Sequence, residues 1–155
     1  MKKSIIIILF LFTVTFSYGQ QETLAIFKIT EATENGDDVT KDYINSGGYI
    51  VFFTEPDGTF YMSNVRPEKD SQSFGKLSPI KYDKPKENNN RIFLYTWNYK
   101  NNYNGNSGTA TVELFKIYKP QGGITYECKI ATDKLIFLTY KGDFNENIAF
   151  RKWYN

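Results

Sequence analysis

The sequence predicts an all-β domain built as an antiparallel meander of about eight strands. Three observations carry that prediction. Residues 91–141 read RIFLYTWNYK, GTATVELFKIYK, ITYECKIAT and DKLIFLTYK, β-rich runs separated by Asn/Gly and Pro/Gly punctuation. Phe93, Tyr95, Trp97 and Tyr99 recur with the period of two that puts side chains on one face of a strand. Beyond residue 20, no run shows helical periodicity and no segment repeats another.

The first residues are expected to lie outside the fold. Met1-Lys2-Lys3 is basic, residues 5–12 are uninterruptedly apolar, and Ser17 and Gly19 are small residues at the −3 and −1 positions of a cut before Gln20. That is the pattern of a secretory signal peptide over residues 1–19, with an apolar run too short for a membrane span. A lipoprotein would need a cysteine at the cut, and the one cysteine is Cys128. Residues 20–155 are then a single all-β domain, extracytoplasmic (periplasmic or secreted), with no membrane span after cleavage. A chain of that length can bury roughly two-thirds of its unfolded surface. One cysteine allows no internal disulfide, so the core must hold the fold unaided, and Cys128 reads as a buried small apolar residue.

Charge excludes one class of partner. Lys2 and Lys3 fall in the expected leader, so 17 of the 19 basic side chains face 17 acidic ones. A formally neutral chain without a clustered basic excess points to no nucleic acid.

The elements follow in order. Residues 22–30 (ETLAIFKIT) read as a first strand, and residues 31–42 as a polar turn containing Asn35-Gly36. Residues 49–53 and 59–65 form a hairpin around Glu55-Pro56-Asp57-Gly58, where Pro presets φ and Gly supplies positive φ. Residues 66–90 are polar, with three prolines, and read as a long irregular loop holding at most a short strand near 77–82. The four strands of residues 91–141 come next, and residues 147–153 read as a short closing strand.

Register can be argued from which faces it makes apolar. Setting Tyr118 against Ile124 puts Val112 opposite Ile130, Leu114 opposite Cys128, and Glu113 opposite Lys129 as an opposite-charge pair. Setting Tyr99 against Gly108 puts Trp97 opposite Ala110, Tyr95 opposite Val112 and Phe93 opposite Leu114, large facing small. A two-residue turn at Thr132-Asp133 would set Ile130 beside Leu135 and Cys128 beside Phe137. The inner face would then be Phe93, Tyr95, Trp97, Tyr99, Val112, Leu114, Tyr126, Cys128, Ile130, Leu135 and Phe137. Phe115, Ile117, Ile136 and Leu138 would form an apolar patch behind it, to be covered by the C-terminal segment, a second sheet or another subunit.

Consecutive short antiparallel strands suit an up-and-down barrel or a two-sheet β-sandwich. The barrel is favoured because sequential strands read as paired neighbours. In general shape it resembles the small exported lipocalin-like (calycin-like) barrels, although the Gly-x-Trp that marks true lipocalins near the first strand is missing.

Composition removes most catalytic chemistry. With no histidine there is no Ser-His-Asp or Cys-His apparatus and no His-ligated zinc, and a single cysteine cannot build a thiolate cluster. There is no GxSxG and no P-loop, and Gly105 and Gly108 lack the following helix a phosphate cradle needs. No cofactor or metal is expected, and no catalytic residue stands out. What remains is aromatic: rings with nearby Asn can hold a small apolar or glycan-like ligand. The ligand-binding candidates are Tyr95, Trp97, Tyr99, Tyr103 and Tyr126. A protein partner or homodimer is the alternative, as for an inhibitor or immunity-type envelope protein, using residues 66–90 or the Phe115, Ile117, Ile136, Leu138 patch. A carboxylate-based hydrolase is a weaker one.

Overall fold

The computed structural model describes residues 21–80 and 90–153; the expected signal peptide lies outside them. Among the described residues the strands are β1 (Glu22–Glu34), β2 (Asp37–Asp38), β3 (Tyr49–Thr54), β4 (Phe60–Arg66), β5 (Ser71–Pro79), β6 (Arg91–Asn101), β7 (Ser107–Tyr118), β8 (Ile124–Thr132) and β9 (Phe137–Glu146). They form one antiparallel sheet in the order β2-β1-β3-β4-β5-β6-β7-β8-β9, and β1 pairs with β9 as well. That last ladder, from Ala25 opposite Glu146 to Glu34 opposite Leu138, closes eight strands into a lipocalin-like barrel. A sandwich has no such closing pair, and β2 is an extra strand on the rim.

β1 serves both neighbours because a bulge between Ile29 and Glu31 bends it at the point where Ile29 meets Gly142. At Gly142 a Cβ would come within 1.9 Å of the Lys28 carbonyl oxygen, and at Gly75 within 1.8 Å of that of Asn98. These two strand glycines let neighbouring backbones approach at the bends of the barrel.

β1 runs four residues past its expected end, because Asn35 (φ 52°) and Gly36 (φ 93°) form a two-residue turn with both centres left-handed. A six-residue helix, α1 (Thr40–Asn45), follows. The periodicity argument missed it because six residues are too few to show a period. β5 occupies much of the stretch expected to be irregular, while residues 81–89 of it lie outside the described ones. The C-terminal residues are not a strand. Ile148–Trp153 is a 3-10 turn, and it plugs one end of the barrel instead of covering an outer face. Phe150, fully buried, sits with its ring centroid 5.2–6.0 Å from those of Phe52, Phe60, Phe93 and Phe144.

The β6–β7 and β7–β8 registers agree with the sequence argument, from Tyr99 opposite Gly108 through Phe93 opposite Leu114, and from Tyr118 opposite Ile124 through Val112 opposite Ile130. Glu113 does lie opposite Lys129, but its carboxylate pairs with Arg91 at 2.6 Å, while Lys129 turns to Glu127 at 3.0 Å. The β8–β9 register differs: Ile130 faces Leu138 and Cys128 faces Tyr140. The loop has three residues, Asp133-Lys134-Leu135, closed by the Leu135 N–H on the Thr132 carbonyl and the Thr132 N–H on the Ile136 carbonyl. The shift relative to the expected pairing is an odd number of residues, so the first part of β9 shows its other face to the interior. Leu135 and Phe137 are therefore exposed, and Ile136 and Leu138 turn inward.

Candidate functional site

The end of the barrel opposite Phe150 is open, and a cavity of about 280 Å³ occupies it. The chain reaches it from the later residues of β1, β4, β6 and β8, the first of β5, the loops before β7 and β9, and α1. One wall is aromatic. Trp97 and Tyr99 stand 5.0 Å apart between ring centroids with planes 32° apart, continued by Ile130, Ile136 and Leu138. Trp97 is fixed there, donating its indole N–H to the Gly75 carbonyl at 3.2 Å. Burial, with the Asp133 carboxylate nearby, pushes the Tyr99 hydroxyl up from its ordinary value.

The other wall is polar and is built on a chain of hydrogen bonds through the barrel top. Asn64 lies on the inward-facing side of β4, in line with Phe60 and Met62. Its Nδ2 donates to the Tyr140 hydroxyl at 2.9 Å, and that hydroxyl donates to the Tyr43 hydroxyl of α1 at 2.7 Å. The Oδ1 atom of Asn64 is buried and has no hydrogen-bond partner among the described residues. Asn64 itself is only 9% exposed. Buried polar atoms are nearly always paired, so an orphaned carbonyl oxygen on a cavity residue marks where something else donates.

Arg66 also lines the cavity, but its charge is committed. Its Nε donates to Ser46 Oγ at 3.1 Å, its guanidinium lies 4.3 Å from the Tyr43 ring centroid, and it pairs with Asp42. Lys69 first and Arg66 second hold the Asp42 carboxyl below the usual carboxylate range. The cluster therefore clamps α1 over the rim, with the Arg66 guanidinium already paired to Asp42. Asn101 acts similarly: its Nδ2 donates to Ser73 Oγ at 2.9 Å and to Ser71 Oγ at 3.3 Å, and its Oδ1 accepts from the Tyr103 and Asn104 N–H groups.

No family model, curated protein or solved structure matches this chain. The reading of the site therefore rests on its own geometry.

Of the five ligand-binding candidates, Trp97 and Tyr99 line the cavity. Tyr95 does not: it is buried one step deeper, and its hydroxyl donates to the Trp153 carbonyl at the plugged end. Tyr126 packs on Phe144 at 5.4 Å, also at the plugged end, because it lies on the early part of β8. Tyr103 is 74% exposed on the β6–β7 loop, where Asn104 and Asn106 turn to the cavity instead. The expected four-residue outer patch does not exist as one surface. Phe115 and Ile117 lie on the outer face, with Lys129 Nζ 5.1 Å over the Phe115 ring, whereas Ile136 and Leu138 belong to the cavity. Among the described residues no three or more acidic, cysteine or histidine side chains gather as a metal site. Cys128 is fully buried between β7 and β9, and burial pushes its thiol well up, which makes it a packing residue and an inert nucleophile.

Sequence reasoning missed Tyr43, Asn64, Arg66, Ser71 and Ser73. Asn64 carried a readable signal, a polar residue at a core-facing position of a strand. Tyr43 carried none.

Proposed function

We propose that this protein is an exported, non-catalytic binding module that holds a small ligand in the open end of its barrel. The observation that supports this reading best is the asymmetry of the lumen: aromatic rings fill one end around Phe150, while the other keeps a cavity of about 280 Å³ with an aromatic wall and a polar one. That volume is slightly under the range of pockets for drug-sized molecules, so the ligand is small. The polar wall favours the glycan-like half of the sequence expectation over the apolar half. Extracytoplasmic location follows from the leader pattern of residues 1–19 and is part of the same proposal. Titration of small polyols and small apolar compounds, followed by tryptophan fluorescence, tests it. Saturable quenching that disappears in Trp97→Phe is expected, and the absence of saturable quenching by every compound would count against a ligand-binding role.

A protein partner is the second reading. It is favoured by Phe74, 42% exposed on the outer face beside Tyr61 and Phe53, whose rings lie within 13° of parallel. A protein that stays monomeric and recovers no partner from an envelope extract would set it aside.

A further inference from the structure

We propose that the ligand is a neutral, hydroxyl-bearing ring of single-sugar size, recognised through Asn64 Oδ1 and the Tyr43 hydroxyl. The inference rests on the binding-module reading and narrows it to a chemical class.

The polar wall has unused hydrogen-bonding capacity of both kinds. In the chain Asn64 to Tyr140 to Tyr43, each hydroxyl accepts from the group before it and passes its own hydrogen on. The chain leaves one unused acceptor, Asn64 Oδ1, and ends on the Tyr43 hydroxyl, which accepts from Tyr140 and keeps its own hydrogen to donate. Both residues face the cavity. Ser71 and Ser73 stand in the same position as Tyr43, each accepting from Asn101 with its own hydroxyl hydrogen left to donate. The wall thus asks for a ligand that both donates and accepts at short spacing, which a set of hydroxyl groups does.

Other classes fit less well. A carboxylate or phosphate can only accept, so it would leave Asn64 Oδ1 facing negative charge; of the two cations on the lining, Arg66 is already held by Asp42 and Ser46, and Lys134 shares the lining with the Glu34 carboxylate. An acyl chain would strand every polar group on this wall without water, at a penalty per group that apolar contact with Trp97 does not offset. Size agrees, since about 280 Å³ is room for roughly nine waters, the scale of one ring. The tilted Trp97 and Tyr99 rings offer an apolar surface opposite the polar wall, matching the two-sided character of a pyranose.

The test is isothermal titration of the protein lacking its leader with glucose, galactose, N-acetylglucosamine and a disaccharide of each, against laurate and indole. At least one sugar should bind saturably and more tightly than laurate or indole. Asn64→Leu should weaken that sugar by about tenfold and Tyr43→Phe by several-fold, with folding of each variant checked by its melting temperature. Tighter binding of a monosaccharide assigns a free sugar, and tighter binding of a disaccharide assigns the end of a glycan; either supports the proposal. Laurate or indole binding as tightly as any sugar would overturn the sugar assignment while leaving the binding module intact. Sugar affinity unchanged in a folded Asn64→Leu variant would overturn it as well. If no probe binds, both readings fall. The wild-type comparison of sugars with laurate and indole decides the matter even where a variant does not fold.

Discussion

Asn64 donates its side-chain amide to the buried Tyr140 hydroxyl across 2.9 Å, joining β4 to β9 through a chain separation of 76 residues. Tyr140 is fully buried, so removing its hydroxyl strands Asn64 Nδ2 on one side and Tyr43 on the other. Tyr140→Phe should therefore cost about 1–3 kcal/mol, read as a lower urea midpoint with an unchanged m-value. A variant as stable as the parent would mean that water replaces the lost partner.

The same burial makes a prediction about pH. Burial pushes Tyr95 up to about 12, and burial with the adjacent Tyr43 pushes Tyr140 well above the ordinary value near 10. Both folded-state values lie above the unfolded one, so the folded protein holds these protons more tightly. Their contribution to stability is fully present below pH 10 and is lost as pH rises from 10 through 12. Alkaline unfolding should begin in that window, with the tyrosinate absorbance of these two residues rising together with loss of β structure. Tyr95→Phe should shift the alkaline midpoint upward. Tyrosinate appearing fully before the fold is lost would contradict it.

Leu135 identifies a stabilising substitution. It sits at φ 59°, a left-handed backbone conformation costing a non-glycine residue roughly 1–2 kcal/mol, and its side chain is 75% exposed. Leu135→Gly removes that strain and loses little packing, while adding some unfolded-state entropy. A net gain of about 0.5–1 kcal/mol is expected, measured by thermal or urea unfolding. A loss of stability would show that the exposed leucine makes a contact worth more than the strain.

The residue types of that loop carry no turn signal. Three hairpins share one construction, in which the N–H of the first loop-flanking residue meets the carbonyl four residues on and the N–H three residues on returns to the first carbonyl. They run from Glu55 to Thr59, from Lys119 to Gly123, and from Thr132 to Ile136. In the first two, Pro56 and Pro120 open the turn, while Gly58 (φ 78°) and Gly122 (φ 89°) close it, so the turns were legible. In the third, Asp133 and Leu135 hold those places, and nothing in the residue types announces a left-handed leucine. One unread turn then reversed the faces of Leu135, Ile136, Phe137 and Leu138. The aromatic stripe was read correctly as interior, since Val112, Leu114 and Ala110 could lie only on one face. The site was half legible. Trp97 and Tyr99 were found through period two, whereas Tyr43 comes from a helix too short to show a period and meets Tyr140 only once the barrel has closed.

Phe150 should be the most sensitive core position outside the strands. It is wrapped by Phe52, Phe60, Phe93 and Phe144, and its neighbour in the turn, Trp153, stacks on Phe60 at 4.4 Å. Phe150→Ala should destabilise by about 3–5 kcal/mol, while Phe150→Leu should cost less than half of that. Equal effects for the two would show that the end of the barrel collapses onto the gap.

The β1–β9 ladder also dictates when this molecule can exist. Ile26 pairs with Asn145 and Thr33 with Thr139, so the earliest strand of the barrel has one of its two edges satisfied only by the latest. No shorter nascent piece can close the cylinder, and loop closure over such a separation is slow compared with helix or hairpin formation. A chain emerging from the ribosome therefore stays open until its last strand has been made. In the exported role proposed above that delay would be an asset, because the topology keeps the polypeptide threadable until β9 (Phe137–Glu146) has been made.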